Sequence, residues 1–129
     1  MKKRPFVLHK LEAELLTTLA HPVRLEILDL LREGEACVCH IQAMLEQRQA
    51  YISQHLMALR QAGLVVSRKE GLRAYYQVTH PEVFTALDSI RHVVEAQGVR
   101  HSTSAGLPGL ASTRTQCNCP QCTATSPSS

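Results

Sequence analysis

A chain of 129 residues with 44% hydrophobic, 19% charged and 4% aromatic residues has the length of one domain around an aliphatic core and is too short for two. Its apolar runs fall far short of the ~20 residues of a membrane helix, and Lys10, Glu12 and Glu14 interrupt any secretion-signal core behind the basic start. A cytoplasmic protein with no membrane partner is expected. The net charge of +3 is small but unevenly held. Residues 1–35 and 81–129 balance, whereas 36–80 carry Arg48, Arg60, Arg68, Lys69 and Arg73 against Glu46 and Glu70. A local basic patch points to a polyanion partner; on charge alone an ordinary solvated surface competes with it.

In chain order, Leu8, Leu11, Leu15 and Leu19 recur at helical spacing and predict a first amphipathic helix, broken at His21-Pro22. Pro22 suits the first position of a second helix, where its missing N–H costs nothing. Val23, Ile27, Leu28 and Leu31 form that helix's inner face up to Gly34, a C-cap candidate. A short third helix is expected over 39–46. A fourth over 50–62 buries Ile52, Leu56 and Leu59 and ends at Gly63. The period then changes. LVVSRKEGLRAYYQV reads as a β-hairpin turning around Glu70-Gly71, with Ala74, Tyr76 and Val78 in its second strand. Thr79-His80-Pro81-Glu82 has capping-box spacing and predicts a fifth helix with the stripe Val83, Leu87, Ile90 and Val94. Beyond Gly98, Ser, Thr, Gly, Pro and Cys dominate, the composition of a flexible tail. The expected organisation is a folded domain over 1–97 and a cysteine-containing tail over 98–129.

Helix, tight connection, helix and basic hairpin is the order of a winged helix-turn-helix, mainly α with a small β-hairpin, whose second helix enters the major groove. Gln49, Ser53 and Gln54 near the start of that helix offer hydrogen bonds to base edges or phosphates, and Tyr51 offers a sugar or phosphate contact. Arg68, Lys69 and Arg73 flank the hairpin tip and suit the phosphate backbone or minor groove. Periodicity alone leaves a plain amphipathic helix and hairpin as the alternative. The stretches HPVRLEIL, ISQHLMALRQAGLV and KEGLRAYY resolve it, because across about 15–80 the chain resembles the ArsR/SmtB family of metal-sensing transcriptional repressors. The resemblance implies a homodimer built mainly from the first and last helices, a pseudo-palindromic operator in double-stranded DNA, and release of DNA when metal binds. Ala50 departs from the serine that many relatives carry near the start of the recognition helix.

Five cysteines form two clusters, Cys37 with Cys39 and Cys117 with Cys119 and Cys122. An odd, clustered set in an aliphatic-rich chain reads as metal binding or redox sensing rather than a disulfide framework. Cys37-Val38-Cys39 resembles the Cys-Val-Cys box of the family's arsenic, cadmium and lead sensors. Thiolates are soft ligands, and a helix N-terminus favours the thiolate form. Residues i and i+2 lie about 200° apart on a regular helix, so one ion held by both requires a distorted first turn. Arsenite takes three sulfurs, and cadmium, lead or zinc three or four donors. Residues 1–36 hold no cysteine, which leaves Cys117, Cys119 and Cys122 as completing donors. A flexible linker of roughly 19 residues reaches about 25 Å; a separate metal knot in the tail is the competing reading. The spacing of Asp88, His92, Glu95 and His101 does not match the family's interhelical zinc pattern, so no such site is expected. The sequence therefore reads as an arsenite-responsive repressor, or one responding to cadmium, lead or zinc. A thiol redox or persulfide-sensing repressor and a cytosolic metal buffer are the alternatives. No phosphate loop, nucleophile elbow or carboxylate pair marks an enzyme.

Overall fold

The computed structural model describes residues 3–98. The elements run α1 (Phe6–Leu19), α2 (Pro22–Leu31), β1 (Ala36–Cys37), α3 (Val38–Leu45), α4 (Gln49–Gln61), β2 (Val65–Glu70), β3 (Arg73–Val78) and α5 (Glu82–Ala96). The strands form one antiparallel sheet in the order β1-β3-β2. The expected mainly helical architecture with a small hairpin is what forms, and the expected helices differ from the observed ones by a residue or two at their ends. The tail residues Cys117, Cys119 and Cys122 lie outside the described residues.

The core is a three-helix knot capped by the sheet. Ile27 and Leu28 of α2, Ile41 of α3 and Ile52, Leu56 and Leu59 of α4 are completely buried, joined by Leu19, Leu64, Val65, Val83 and Leu87. Each such side chain contributes roughly 1.5–3 kcal/mol, so this cluster sets the relative placement of α2, α3 and α4. His21 caps α2, its Nδ1 accepting from the Val23 N–H at 3.2 Å, and Pro22 opens the helix as expected.

Several local expectations are corrected. The hairpin has a third partner, β1, whose Ala36 and Cys37 pair with Tyr76 and Tyr75; two residues are too few to show a period. The hairpin closes through Gly71-Leu72 rather than Glu70-Gly71, since Glu70 still pairs with Arg73 in the ladder. Gly71 at φ +63° takes the left-handed conformation that such two-residue loops use. The expected Ala74, Tyr76 and Val78 do lie in β3, with Tyr76 and Val78 packed against the core, while Tyr75 is buried separately beside Cys37. The helix α2 has Arg32 as its C-cap, with Gly34 beyond it donating to the Leu31 carbonyl. No capping box forms at α5. Pro81 holds the cap position, and the Thr79 hydroxyl instead donates to the Gly63 carbonyl at 2.6 Å, fastening the end of β3 to the end of α4.

The apolar stripe of α1 forms but is largely left uncovered by the other described residues. Only Leu19 is buried, while Phe6, Val7, Leu11 and Leu16 are more than half exposed. On α5, Val83 and Leu87 are buried but Ile90 is 46% and Val93 56% exposed. An ion-pair network anchors the inner side of α5. Arg32 donates two bonds to Asp88 at 2.9 and 3.0 Å, and Arg91 bonds Asp29. Among the described residues no helix is long and apolar enough to cross a membrane.

Candidate nucleic-acid interface and thiol site

The connection between α3 and α4 is three residues long and is made by Glu46, whose φ of +54° places it in the left-handed region. Gln47 donates back to the Gln42 carbonyl and Arg48 is extended as the α4 cap. No glycine marks this turn, so sequence inspection finds it only by the gap between two helical patterns. The buried side of α4 is Ile52, His55, Leu56 and Leu59, which turns the opposite side outward. At about 100° per residue, Gln49 and Ser53 lie toward one border of the outward side, Tyr51 lies at the other, and Gln54 sits near its middle. Exposed Ala50 and Met57 lie between them. These two were not among the expected contacts; apolar side chains at such positions suit thymine methyl groups.

A partly buried polar cluster around the buried His55 ties α4 to α2. Arg24 of α2 donates from Nη1 to the Thr18 carbonyl at 2.9 Å and from Nε to His55 Nδ1 at 3.1 Å. The His55 ring lies 4.3 Å from the His21 ring and meets Tyr51 edge-on at 4.6 Å. Accepting at Nδ1 puts the proton of neutral His55 on Nε2, which is buried without a hydrogen-bond partner among the described residues. Burial, then His21 and Arg24, push its pKa below the ordinary histidine value. Tyr51 is therefore a packing partner of this cluster as well as an exposed side chain. Nothing in the sequence links Arg24 to His55 across 31 positions.

On the wing the three expected cations occupy different settings. Arg68 donates from Nε and Nη2 to Glu35 at 2.7 and 2.5 Å and from Nη1 to Glu70 at 2.8 Å, with its guanidinium 4.7 Å above the Tyr75 ring. The bond to Arg68 holds the Glu35 carboxyl below the usual carboxylate range, and the two carboxylates raise the Arg68 pKa. Lys69 is exposed and sits opposite Ala74, on the other face of the hairpin by strand alternation. Arg73 sits opposite Glu70, on the face of Arg68. Leu72 at the tip is fully exposed. Glu35 falls just outside the basic segment counted in the sequence, so that count overstates the wing's free positive charge.

The two thiols of the Cys-Val-Cys box meet at the junction of β1 and α3. Cys37 is extended, caps α3, and accepts the His40 N–H on Sγ at 3.2 Å. It is 1% exposed and packs with Tyr75, its partner in the β1–β3 ladder, while Cys39 in the first turn of α3 packs against the same pair. Cys37 has strand rather than helix dihedrals, so the two thiols are not placed as residues i and i+2 of one regular helix. As a donor set the pair offers two soft sulfurs, which suits a thiophilic ion. Among the described residues no group of three or more His, Cys, Asp or Glu is arranged to hold one. Asp88 is engaged by Arg32 and Arg91, and His92 faces Glu95 at 3.9 Å.

Comparison with known proteins extends this picture. The sequence profile of the arsR family of bacterial regulatory proteins matches residues 21–67. The chain is 46% identical over 66 residues to the arsenic resistance transcriptional regulator ArsR1 of Pseudomonas putida, covering 50% of this chain and 51% of that relative, about half its length. It is 36% identical over 88 residues to the HTH-type transcriptional regulator Rv0081 of Mycobacterium tuberculosis, covering 67% of this chain and 77% of that protein. The crystal structure of Rv0081 superposes with a TM-score of 0.64 at 34% identity, covering 74% of this chain and 94% of the other. The solution structure of the homodimeric winged helix-turn-helix DNA-binding domain Mb0332 from Mycobacterium bovis gives 0.61 at 34% identity, covering 78% and 93%.

A polar helix turned outward from a three-helix core, followed by a hairpin wing, defines a winged helix-turn-helix transcriptional regulator, not an enzyme. The chain belongs to the arsR family of bacterial regulatory proteins.

Proposed function

We propose that this regulator is a cytoplasmic repressor that binds operator DNA as a homodimer and leaves it when arsenite, or a related soft ion such as cadmium, lead or zinc, is taken by its cysteine thiolates. The observation that carries the reading is the double role of Cys37, a soft ligand that also caps α3 and pairs with β3. An ion drawn to Cys37 and Cys39 competes with the His40 N–H for the Cys37 sulfur, and α3 packs directly against the core face of α4. Binding and release therefore share atoms. Gln49, Ser53 and Gln54, with Tyr51 at the border, face base edges and sugars, and Lys69 and Arg73 face phosphates. The apolar side of α1 that the other described residues leave exposed, with Ile90 and Val93 of α5, supports a homodimer through these helices. The name of the Pseudomonas relative supports arsenite as the inducer, and Cys117, Cys119 and Cys122 are the thiols that remain to complete a three-sulfur site.

X-ray absorption on the reduced full chain, loaded in turn with arsenite, cadmium and zinc, tests the ligand assignment. Three arsenic–sulfur bonds that become fewer in Cys37→Ser and Cys39→Ser are expected. Oxygen-coordinated arsenic, or spectra insensitive to both substitutions, would remove the thiol site and favour a redox switch on the same DNA-binding fold.

A further inference from the structure

We propose that Arg68 is a positioning residue that clamps the wing to the thiol site, rather than one of the wing's phosphate ligands. Three of its five N–H donors are spent on Glu35 and Glu70, two of them in a bidentate pair with Glu35. A phosphate approaching this guanidinium meets two carboxylates around one cation. Lys69, on the other face of the hairpin, has no such arrangement across from it, since its ladder partner is Ala74.

The clamp ends where the thiols begin. Glu35 immediately precedes β1, so the residue gripped by Arg68 lies two positions before Cys37. Arg68 also lies over the Tyr75 ring, and Tyr75 packs on Cys37 within one small buried cluster. Strand β1, the middle of the wing and the cap of α3 thus meet in four side chains: Cys37, Tyr75, Arg68 and Glu35. The same guanidinium holds Glu70 at the last position of β2, next to the tip. With Arg68 in place the wing presents Lys69, Leu72 and Arg73 toward DNA while both carboxylates are compensated. When Cys37 leaves its cap to hold an ion, its contact with Tyr75 shifts, the seat of Arg68 shifts with it, and the wing loses its fixed angle and its charge compensation. This second half rests on the function proposed above; the first half does not.

The test uses the reduced full chain and a fluorescein-labelled inverted-repeat duplex selected from a random pool by the wild-type protein. Affinity is measured across a salt series and then with and without sodium arsenite, for Lys69→Ala, Arg68→Ala, Arg68→Lys and Glu35→Gln, each checked for fold by circular dichroism. Removing one phosphate contact lowers the slope of log affinity against log salt by about 0.9. That loss is expected for Lys69→Ala and not for Arg68→Ala, which keeps the wild-type slope while affinity falls several-fold. Arg68→Lys fails to restore affinity because a lysine cannot make the bidentate pair. Glu35→Gln, which removes a charge that no phosphate contact would use, is expected to reduce the arsenite-induced loss of affinity at least severalfold. An Arg68→Ala slope lowered like that of Lys69→Ala makes Arg68 a phosphate ligand and overturns the proposal. A Glu35→Gln variant with wild-type slope, affinity and arsenite response overturns the clamp. Wild-type protein that arsenite does not release refutes the proposed inducer instead, and the salt slopes still decide the role of Arg68.

Discussion

Replacing Cys37 with serine and with alanine separates its structural role from its role as a ligand. The sulfur accepts the His40 N–H at 3.2 Å and is buried against Tyr75. Alanine removes the acceptor, and a lost N-cap costs about 1 kcal/mol. It also removes a buried atom comparable to a methylene, about 0.8 kcal/mol. Serine loses only the second contribution, because its hydroxyl oxygen remains an acceptor of the preferred N-cap kind. The serine variant is therefore expected to lie about 1 kcal/mol below wild type and the alanine variant about 2 kcal/mol. In a domain of this size each kcal/mol moves Tm by roughly 4–8 °C. Thermal unfolding at one fixed protein concentration, since dimerisation makes Tm concentration-dependent, reads the order directly. Both variants should bind the duplex and neither should release it with arsenite. Equal stability of the two would refute the cap, and a serine variant still released by arsenite would refute the thiol site.

Other expectations follow from the same geometry. A variant lacking residues 99–129 should keep its operator affinity, because the helices and wing precede the deletion, while arsenic–sulfur coordination falls from three toward two; full three-sulfur binding without the tail would assign the third donor elsewhere. The Arg32 bond holds the Asp88 carboxyl below its ordinary pKa, so its contribution is present above the unfolded value near pH 4 and is lost as pH falls through the lower folded value. Urea midpoints of wild type and Asp88→Asn should converge in strong acid and differ at neutral pH, and a pH-independent difference would contradict this. His55 has its pKa pushed down by burial, so it contributes no pH dependence while neutral in both states, and the fold loses stability as pH drops below about 6.5, where the unfolded chain protonates first. A nuclear magnetic resonance titration of His55 should show a midpoint below that value; a midpoint at or above it would contradict the buried acceptor geometry.

Helix periodicity made the core legible. Ile27, Leu28, Ile52, Leu56 and Leu59 were placed inside by spacing alone, and all are buried. The position of Cys37 and Cys39 at a helix start was legible as well, because Val38 begins α3. What escaped is what depends on distance across the fold. Glu35 and Arg68 lie 33 positions apart, and a count of charge by segment assigned them to different parts of the chain. β1 is too short to carry a pattern. Thr79 and Glu82 have the spacing of a capping box, yet the Thr79 hydroxyl finds the Gly63 carbonyl, a partner that exists only once α4 and β3 have met. The stripe on α1 announced an apolar side but not what covers it, because among the described residues most of that side stays exposed.

The central claim is that one ion at Cys37 and Cys39 lowers affinity for DNA, and fluorescence anisotropy of the selected duplex against reduced full-chain protein tests it most directly. Linkage requires that the factor by which arsenite weakens DNA binding equal the factor by which DNA weakens arsenite binding, with typical couplings of about 5–150-fold. The account predicts such a matched pair of factors in wild type and a factor near one in Cys37→Ser. Equal duplex affinity with and without saturating arsenite in the wild-type protein would contradict it.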